Sequence, residues 1–450
     1  MNQWDITYFG ATGDGNQDNS AAFASAFGAI QKAGGGTLRV GKGVWITGPL
    51  ELFSHTTLIL EEGAVISFTP EVTRYSPVRT RWEGVECFGF HPLVFASGQE
   101  HITIAGKGCF DGSGAVWWKL LQDKRRQEQK TPQTPEERAL AALNIGFERQ
   151  PGGGGGRGMQ FLRPPLMQFF KCSHILLEDF TLTNSPCWTL HPVFCDDLTI
   201  RGLTIKNPPD APNTDGIDVD SCKNVVIEGC RVSVGDDGIA LKSGSGEDGI
   251  RVNQPTCQVR VRNCRVNDAH GGIVIGSETA GGIFDVTAED CEFTGTDRGI
   301  RIKTRRGRGG QIRDLNFRNL TMTNNLCPLA INMYYRCGAS MSDGFFTTSA
   351  LPVNPATPSI KNISVAGIRA TGCRASAGFV AGLPESPIEN LSVVDSEFYT
   401  DETSPVSPTE SDMFLGLPEV KEKSFRIFNA REPVFSSVIV KGPKQAFIYG

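Results

Sequence analysis

Residues 225 to 232 read Val-Val-Ile-Glu-Gly-Cys-Arg-Val and contain the pattern that decides the fold. Apolar side chains stand two, then three, then two residues apart in this stretch: Val225, Ile227, Cys230 and Val232. A period of two is typical of a β-strand, and the step of three indicates a bend between two short strands. The stretch therefore predicts two strands that share one apolar face.

The same pattern recurs along most of the chain. Further copies begin at Ile175, Leu198, Val259, Val286, Leu315, Ile363 and, more weakly, Leu391. One such unit cannot bury its apolar face alone, so neighbouring copies must stack. The fold class that fits is all-β, a right-handed parallel β-helix of roughly ten coils. A single repeat series predicts a single domain over residues 1–450.

An amphipathic helix is predicted near the N-terminus. Phe23, Phe27 and Ile30 fall at the spacing of one helical face. Because the apolar end of a solenoid needs cover, we expect residues 20–33 to close the coil stack. This capping helix belongs to an N-terminal cap region over residues 1–50.

Residues 120–158 interrupt the repeat and are interpreted as a surface insertion. The segment is charged and predicts a helix near Glu136 to Leu143. It ends in the run Gly152 to Gly156, which is typical of a flexible connection. Two interpretations stay open, an inert loop and a wall beside a binding groove.

Composition and charge exclude several classes of function. The net charge of −5 gives no general attraction to nucleic acid or to an anionic membrane, and no apolar run reaches the length of a bilayer span. The 13 cysteines show no zinc-like spacing, and those in the repeat, Cys230, Cys264 and Cys291, are interpreted as small core residues. We expect no metal ion and no cofactor.

The N-terminal sequence bears on the compartment. It has no basic segment followed by an apolar one, and a disulfide framework is disfavoured in so long a chain, so we expect a cytoplasmic protein. The alternative is a periplasmic or secreted protein whose leader has been removed. No pattern in the sequence sets an oligomeric state.

Charged side chains gather around four Gly-Ile steps on successive coils. The steps are Asp215-Gly216-Ile217, Asp237-Gly238-Ile239, Gly271-Gly272-Ile273 and Arg298-Gly299-Ile300. Asp236 precedes the second step and His270 precedes the third, while Arg301 and Lys303 follow the fourth. If the coils stack in register, three carboxylates, an imidazole and two cations converge on one patch.

The strands that follow these steps predict which side chains face outward. The isoleucines of the steps should point into the coil, so Lys242, Arg301 and Lys303 should point out of it. Adjacent strands lie about 4.8 Å apart, which places Arg301 and Lys303 roughly two or three strands from the carboxylates. One or two sugar units would span that gap.

These residue types favour hydrolysis of an acidic sugar polymer. Glycoside hydrolysis needs one carboxyl group as acid and one carboxylate as base. Three crowded carboxylates do not all ionise easily, so one should keep its proton, and His270 could select which one by hydrogen bonding. Arg301 and Lys303 offer charge-assisted bonds that a uronic acid requires and a neutral sugar does not.

At these residues the sequence resembles glycoside hydrolase family 28, the polygalacturonases. Four signatures of that family occur in order: Asn213-Thr214-Asp215, Gly235-Asp236-Asp237, His270-Gly271 and Arg301-Ile302-Lys303. The resemblance extends from Arg163 to Tyr335. One departure is that the usual Gly-His-Gly reads Ala269-His270-Gly271 here.

The resemblance implies hydrolysis of α-1,4-galacturonosidic bonds in polygalacturonate or oligogalacturonides, with inversion. Carried over by position, Asp236 is the general acid, and Asp215 and Asp237 together activate the water. His270 supports the protonation state of the acid. Arg301 and Lys303 hold the galacturonate carboxylate.

Further substrate contacts are expected around the same patch. Many members of the family place a tyrosine shortly after the Arg-Ile-Lys signature, and of Tyr334 and Tyr335 we favour Tyr334. The remaining candidate substrate-binding residues are Asn213, Lys242, Glu278 and His191. For His191, packing is an equal alternative.

Exo action from the non-reducing end is the expected mode. Ser277-Glu278 and the insertion from Ser243 to Pro255 resemble bacterial, exo-acting members of the family. Long turns that could block one end of the groove lie at residues 122–158, 243–257 and 323–360. The basic run Arg305, Arg306 and Arg308 either extends the binding of a polyanion or is a solvated loop.

Three other functions stay open at the level of sequence. One is a hydrolase of rhamnogalacturonan or of unsaturated oligogalacturonides on the same fold. Another is a calcium-dependent pectate lyase, because clustered carboxylates also bind calcium. The third is a non-catalytic, carbohydrate-binding β-helix.

Overall fold

The structure is a computed structural model that describes residues 2–149, 156–411, 414 and 420–450. Most of the run predicted to be flexible, Gly152 to Gly155, lies outside the described residues. Among the described residues no helix is both long and apolar enough to cross a membrane.

Short strands account for most of the regular structure. Up to residue 235 they are β1 (Gln3–Asp5), β2 (Asp14–Asp18), β3 (Gly36–Val40), β4 (Gly43–Thr47), β5 (Leu50–Glu51), β6 (Thr56–Leu60), β7 (Ala64–Phe68), β8 (Pro77–Trp82), β9 (Val85–Phe90), β10 (Val94–Ser97), β11 (Glu100–Gly106), β12 (Cys109–Asp111), β13 (Met167–Phe170), β14 (Ser173–Glu178), β15 (Thr181–Thr183), β16 (Leu190–Val193), β17 (Asp196–Arg201), β18 (Thr204–Lys206), β19 (Ile217–Asp220), β20 (Lys223–Glu228) and β21 (Arg231–Ser233). From residue 236 onward they are β22 (Asp237–Lys242), β23 (Thr256–Arg262), β24 (Arg265–Asn267), β25 (Gly271–Gly276), β26 (Ile283–Glu289), β27 (Glu292–Thr294), β28 (Arg298–Lys303), β29 (Gln311–Arg318), β30 (Thr321–Thr323), β31 (Cys327–Asn332), β32 (Ser359–Ala366), β33 (Arg369–Cys373), β34 (Gly378–Ala381), β35 (Ile388–Thr400), β36 (Phe425–Phe428), β37 (Ala430–Arg431), β38 (Val434–Lys441) and β39 (Phe447–Tyr449).

Helices are few and lie between the strands. The α-helices are α1 (Ser20–Lys32), α2 (Ala115–Arg126), α3 (Pro135–Leu143) and α4 (Gly246–Val252). Single 3-10 turns occur at Ile6–Phe9, Val72–Arg74, Phe147–Arg149, Met341–Asp343 and Pro408–Ser411.

The chain divides into two compact units. One comprises Met1–Trp82, Glu86–Asp218 and Cys222–Gly235, and the other comprises Glu83–Val85, Val219–Ser221 and Asp236–Gly450. In both units, strands pair in parallel with the strand one coil later, as β14 does with β17 and β26 with β29. Parallel strands joined in this way wind right-handed, so the fold is the right-handed parallel β-helix that the repeat predicts. The single-domain interpretation stays a prediction.

The repeat positions stack in the register that the sequence predicts. In the first unit Ile175 pairs with Leu198, which pairs with Val225. In the second unit Val286 pairs with Leu315, which pairs with Ile363. The ladder cysteines Cys230, Cys264 and Cys291 are free thiols and buried, which confirms their interpretation as core residues.

A left-handed residue forms the bend inside each copy of the repeat. The fifth position of the copies is occupied by Asp179, Gly202, Gly229, Asn263, Asp290, Asn319, Gly367 and Asp395, with φ between 47 and 68°. Glycine, asparagine and aspartate tolerate this conformation better than other residues do. Side chains at these bends also bond from coil to coil, since Asn319 Nδ2 donates to Asp290 Oδ1 over 3.3 Å.

The N-terminal helix and the insertion are confirmed as helical. Helix α1 covers almost the predicted range and buries Phe23, Phe27 and Ile30. Helix α3 lies where the sequence predicts it, behind a capping box formed by Thr134 and Glu137. Helix α2 begins before the predicted start of the insertion, because Trp117 and Leu121 bury an apolar stripe of their own.

Candidate active site

Three parallel strands of the second unit place the charged residues. Ile239 on β22 pairs with Ile273 on β25, which pairs with Ile300 on β28, and all three are fully buried. Their neighbours therefore alternate to the outer face, where Val274 lies in register with Arg301. The predicted inward and outward positions of these strands are confirmed.

Arg301 and Lys303 contact a carboxylate directly. Arg301 Nη1 lies 2.7 Å from Asp237 Oδ1, and Lys303 Nζ lies 2.5 Å from Asp237 Oδ2. The predicted gap of one or two sugar units is therefore wrong. The reason is Gly271, which lies on the strand between them: a Cβ there would sit 3.4 Å from Arg301 Cδ, so the long side chain lies across a strand that has no side chain at that point.

The two cations keep Asp237 ionised. Burial acts to raise the pKa of Asp237, but the charges of Lys303, Arg301 and Lys242 outweigh it and hold the pKa far below its usual range. The same carboxylate raises the pKa of Arg301 against the effect of burial. The three groups form a buried ion cluster with more positive than negative charge.

Asp236 pairs with His270 beside this cluster. Asp236 Oδ1 lies 3.2 Å from His270 Nδ1, and the His270 amide donates to the Asp236 carbonyl over 2.8 Å. Burial raises the pKa of Asp236, yet the hydrogen bond from His270 and the nearby positive charges bring it below the ordinary value. In return, the bond to Asp236 raises the pKa of His270.

The pKa of Asp236 and that of Asp237 both lie below the ordinary value, so the expectation that one of the three carboxyls keeps its proton is not favoured at either of them. Repulsion by Asp237 does raise the pKa of Asp236, but His270 and Lys303 together lower it further. The lowered pKa of Asp236 and the raised pKa of His270 both favour a protonated imidazole beside an ionised Asp236.

The tyrosine beside the cations is Tyr335, so the preference for Tyr334 is wrong. The Tyr335 ring centre lies 5.5 Å from the Arg301 guanidinium carbon and 5.1 Å from Lys303 Nζ. Tyr334 instead stacks on Phe414, with ring centres 4.4 Å apart. The Tyr334 amide donates to Asn332 Oδ1 over 2.7 Å, a turn that alternation along a strand does not reveal.

Lys242 and Glu278 lie together at the ends of β22 and of the turn after β25. Lys242 Nζ and Glu278 Oε2 are 4.0 Å apart, and both side chains are buried. Sequence reasoning missed Glu83–Val85 here, where the Gly84 carbonyl accepts a hydrogen bond from the Ser245 amide over 2.9 Å. A Cβ on Gly84, whose φ is +78°, would meet Ser245 and Glu278 at under 3.0 Å, so glycine is needed for this approach.

Asn213 and Asp215 lie in the first unit. Asn213 has a φ of 56° and its Oδ1 accepts a hydrogen bond of 2.7 Å from the buried Arg163, a contact that sequence reasoning missed. Asp215 is buried, and its carbonyl accepts from the Thr189 amide over 2.8 Å. The roles of Asn213 and Asp215 stay predictions.

His191, also in the first unit, is buried among polar and aromatic neighbours. Its Nδ1 lies 2.9 Å from Gln168 Nε2, and its ring centre lies 4.7 Å from that of Trp188, edge to face. Gln168 Oε1 accepts from the Thr80 hydroxyl over 2.6 Å. These contacts favour the packing interpretation, and a substrate contact of His191 stays a prediction.

The basic run after β28 is not a solvated loop. Arg305, Arg306 and Arg308 are all buried. Arg306 forms a bidentate pair with Glu385, with distances of 2.6 and 2.8 Å. The solvated-loop interpretation is wrong because a carboxylate 79 residues later in the chain folds onto this turn.

The oxygen atoms of Asp237 that could bind a metal ion already accept hydrogen bonds from the protein. Both carboxylate oxygens accept from cations of the protein, and Asp236 Oδ1 faces His270. A calcium ion prefers six to eight oxygen ligands and would have to displace Arg301 and Lys303 from Asp237. The arrangement suits an anionic ligand better than a metal ion.

A parallel β-helix with carboxylates, an imidazole and paired cations on successive coils defines a carbohydrate-cleaving enzyme of the β-helical class. The profile of glycosyl hydrolases family 28 matches residues 158–393. The chain is 31% identical over 395 residues to a probable polygalacturonase of Vitis vinifera, which covers 86% of this chain and 72% of that protein. The chain therefore belongs to glycosyl hydrolases family 28 and is a glycoside hydrolase.

Two further comparisons agree. The chain is 28% identical over 341 residues to an endo-polygalacturonase of Pectobacterium carotovorum subsp. carotovorum, covering 71% of this chain and 73% of that one. The crystal structure of a hyperthermoactive exopolygalacturonase from Thermotoga maritima superposes with a TM-score of 0.76 at 32% identity, over 90% of this chain and 88% of that one.

Proposed function

We propose that this glycoside hydrolase cleaves α-1,4-galacturonosidic bonds in polygalacturonate and oligogalacturonides. The observation that carries the proposal is the convergence of Arg301 and Lys303 on Asp237, beside the Asp236–His270 pair. Two cations next to an acid and its proton donor are placed to receive a sugar that itself has a carboxylate. The polygalacturonase activity named for the relatives supports the same substrate.

Substrate binding exchanges one carboxylate for another. The galacturonate carboxylate takes hydrogen bonds from Arg301 and Lys303 that Asp237 accepts in the free enzyme. Because these two cations are what hold the pKa of Asp237 down, the exchange raises that pKa. Asp237 gains basicity only when the substrate is in place.

The proton for the leaving group comes through His270. The imidazolium passes its proton to Asp236 across the 3.2 Å contact, and Asp236 then protonates the glycosidic oxygen as the bond breaks. Neutralising Lys303 with the substrate carboxylate also removes one of the charges that lower the pKa of Asp236. Binding therefore moves the acid and the base toward their catalytic forms together.

Water attacks from the side opposite the leaving group. Asp237 and Asp215 together orient the water and take its proton, which gives inversion at the anomeric carbon. The part of Asp215 rests on the family signature Asn213-Thr214-Asp215.

We also propose exo action from the non-reducing end. The solved exopolygalacturonase at 32% identity supports it. So does the long turn after β22, which contains α4 and packs against Gly84 and, through Ser245, Arg308. Turns of this kind close one end of a groove that an endo-acting enzyme leaves open.

The experiment is a product analysis on polygalacturonate and on defined saturated and unsaturated oligogalacturonides. We expect monogalacturonate or digalacturonate from the first minutes, no new ultraviolet absorbance, and no loss of activity with a chelator. Mixed oligomers would contradict exo action. Unsaturated, chelator-sensitive products would indicate a lyase, preference for rhamnogalacturonan or unsaturated oligomers would indicate the related hydrolases, and binding without cleavage would remove the catalytic proposal.

A further inference from the structure

The turn after β28 contains three buried arginines that are not alike. Arg306 is fully engaged by its own chain: besides the pair with Glu385, its Nη1 donates to the carbonyls of Phe345 and Thr347 over 2.9 and 2.8 Å. These contacts tie the turn to Glu385 and to the loop around residue 346. Arg306 is a structural residue.

Arg305 and Arg308 have no direct ion pair of this kind. Within the described residues neither guanidinium has a carboxylate at ion-pair distance, and the Nε atoms of both are buried without a hydrogen-bond partner. Arg305 Nη1 donates to the Arg306 carbonyl over 2.8 Å, and Arg308 Nη1 donates to the Ser245 hydroxyl. The Phe345 ring lies 4.7 Å from the Arg305 guanidinium carbon and fixes its plane.

Two buried like charges with no carboxylate at ion-pair distance are costly. A cation removed from water is normally paired with an anion, because an unpaired buried charge destabilises the folded protein. Burial and the charge of Arg308 lower the pKa of Arg305 to about 10, against the weaker attraction of Asp343. A fold tolerates such a pair where an anion arrives to neutralise it.

Arg305 follows the cations of the active site along the chain. It comes two residues after Lys303, and the Thr304 amide between them still donates to the Asn332 carbonyl over 3.0 Å, which continues the ladder of β28. Two residues of extended chain span about 6–7 Å. The connection is fixed, because the Thr304 hydroxyl bonds the Thr279 hydroxyl over 2.8 Å. The nearby Lys242 already has Glu278, which leaves Arg305 and Arg308 as the surplus charge.

We propose that Arg305 and Arg308 form a second anion subsite, which holds the carboxylate of a further galacturonate residue of the substrate. Guanidinium forks match the geometry of a carboxylate and offer two parallel hydrogen bonds each. The inference rests on the proposed function, since it needs a substrate with a carboxylate on consecutive sugars. It assigns Arg306, in the same run, to the fold alone.

The test removes a positive charge from the enzyme and, separately, the negative charges from the substrate. Arg305→Gln and Arg308→Gln are compared on trigalacturonate and on its methyl ester, with Arg313→Gln as the matched control. Arg313 lies in the same unit, next to Asp314 and against Phe284 at 4.1 Å, away from this turn. We expect KM on the free acid to rise about tenfold or more in the two site variants, to change far less on the ester, and to stay unchanged in Arg313→Gln.

Thermal unfolding separates a lost subsite from a lost fold. If a glutamine variant does not fold, Arg305→Lys and Arg308→Lys keep the charge and lose the fork, and we expect several-fold higher KM values with an unchanged melting temperature. Equal losses of activity on acid and ester, or KM values like those of the control, would overturn the subsite. The proposed function fails separately if the wild type does not cleave trigalacturonate at all. In that case, a melting temperature that trigalacturonate raises in the wild type and not in the site variants would still support the subsite.

Discussion

Two buried ion clusters in this molecule consist of similar residue types but have different roles. In the insertion, Lys124 pairs with Glu137, whose Oε2 also accepts from Gln129 Nε2 and the Gln133 amide over 2.9 and 2.7 Å. On the coils of the second unit, Arg301 and Lys303 share Asp237. The first cluster has one cation for one carboxylate, and the second has two.

The number of cations for each carboxylate distinguishes the structural cluster from the cluster in the candidate active site. Glu137 also completes the capping box of α3, so its contacts come from its own segment. Asp237 has two cations at hydrogen-bond distance, with the Tyr335 ring beside them, so the carboxylate of a ligand can share those donors. A buried ion pair by itself is weak evidence of function, whereas an unequal one points to a ligand.

The largest effect is expected from Asp236, which lies beside the cluster of Asp237, Arg301 and Lys303. Asp236→Asn keeps the shape of the side chain and removes the transferable proton, so we expect kcat on trigalacturonate to fall about 10²- to 10⁴-fold. Substrate binding, measured by calorimetry, should change little. A variant with wild-type turnover would contradict the assignment of the acid.

A substitution in the Lys124–Glu137 cluster should lower stability and leave catalysis unchanged. Glu137→Ala leaves Lys124 buried without its partner and removes a helix cap, a loss of about 3–5 kcal/mol by analogy with other broken buried pairs. We expect a clearly lower melting temperature with kcat and KM retained below the transition. Unchanged stability, or a selective loss of kcat in a folded variant, would contradict the structural role of Glu137.

The pH dependence of kcat/KM tests the role of His270. Its pKa lies above the ordinary value because Asp236 accepts its hydrogen bond, so the pair keeps its last proton until the pH rises through that raised pKa. In His270→Ala the proton is held by Asp236 alone, and we expect the alkaline limb of kcat/KM to move to lower pH. An alkaline limb that stays in place would show that His270 does not supply the proton.

The smallest expected effect separates two adjacent tyrosines. Tyr335 lies beside Arg301 and Lys303, whereas Tyr334 stacks on Phe414. We expect Tyr335→Phe to raise KM by a few-fold, the value of one hydrogen bond, and Tyr334→Phe to leave KM unchanged. The opposite ranking, measured on the same oligomer, would restore Tyr334 to the site.

The coil and its register follow from the sequence because they depend on local patterns. Alternation sets the buried face, and a glycine, asparagine or aspartate at each bend sets the step of three. The signature residues follow too, since Ile239, Ile273 and Ile300 stack as that pattern requires.

What the sequence did not predict depends on contacts between distant or irregular segments. Glu385 reaches Arg306, and Gly84 reaches Ser245, across stretches with no shared periodicity. Tyr334 and Tyr335 differ because the chain turns where the Tyr334 amide donates to Asn332 Oδ1. The protonation of Asp236 is decided by which cations approach it, and pattern alone gives their proximity only to within a strand or two.

In the proposed mechanism water, activated by carboxylates, displaces the sugar in one step while Asp236 supplies the proton. Time-resolved proton NMR of trigalacturonate cleavage distinguishes this mechanism from its alternatives, because it reports the anomer that forms before mutarotation. We expect the β-anomer first, with no unsaturated product. Initial formation of the α-anomer, or of a double bond, would contradict it.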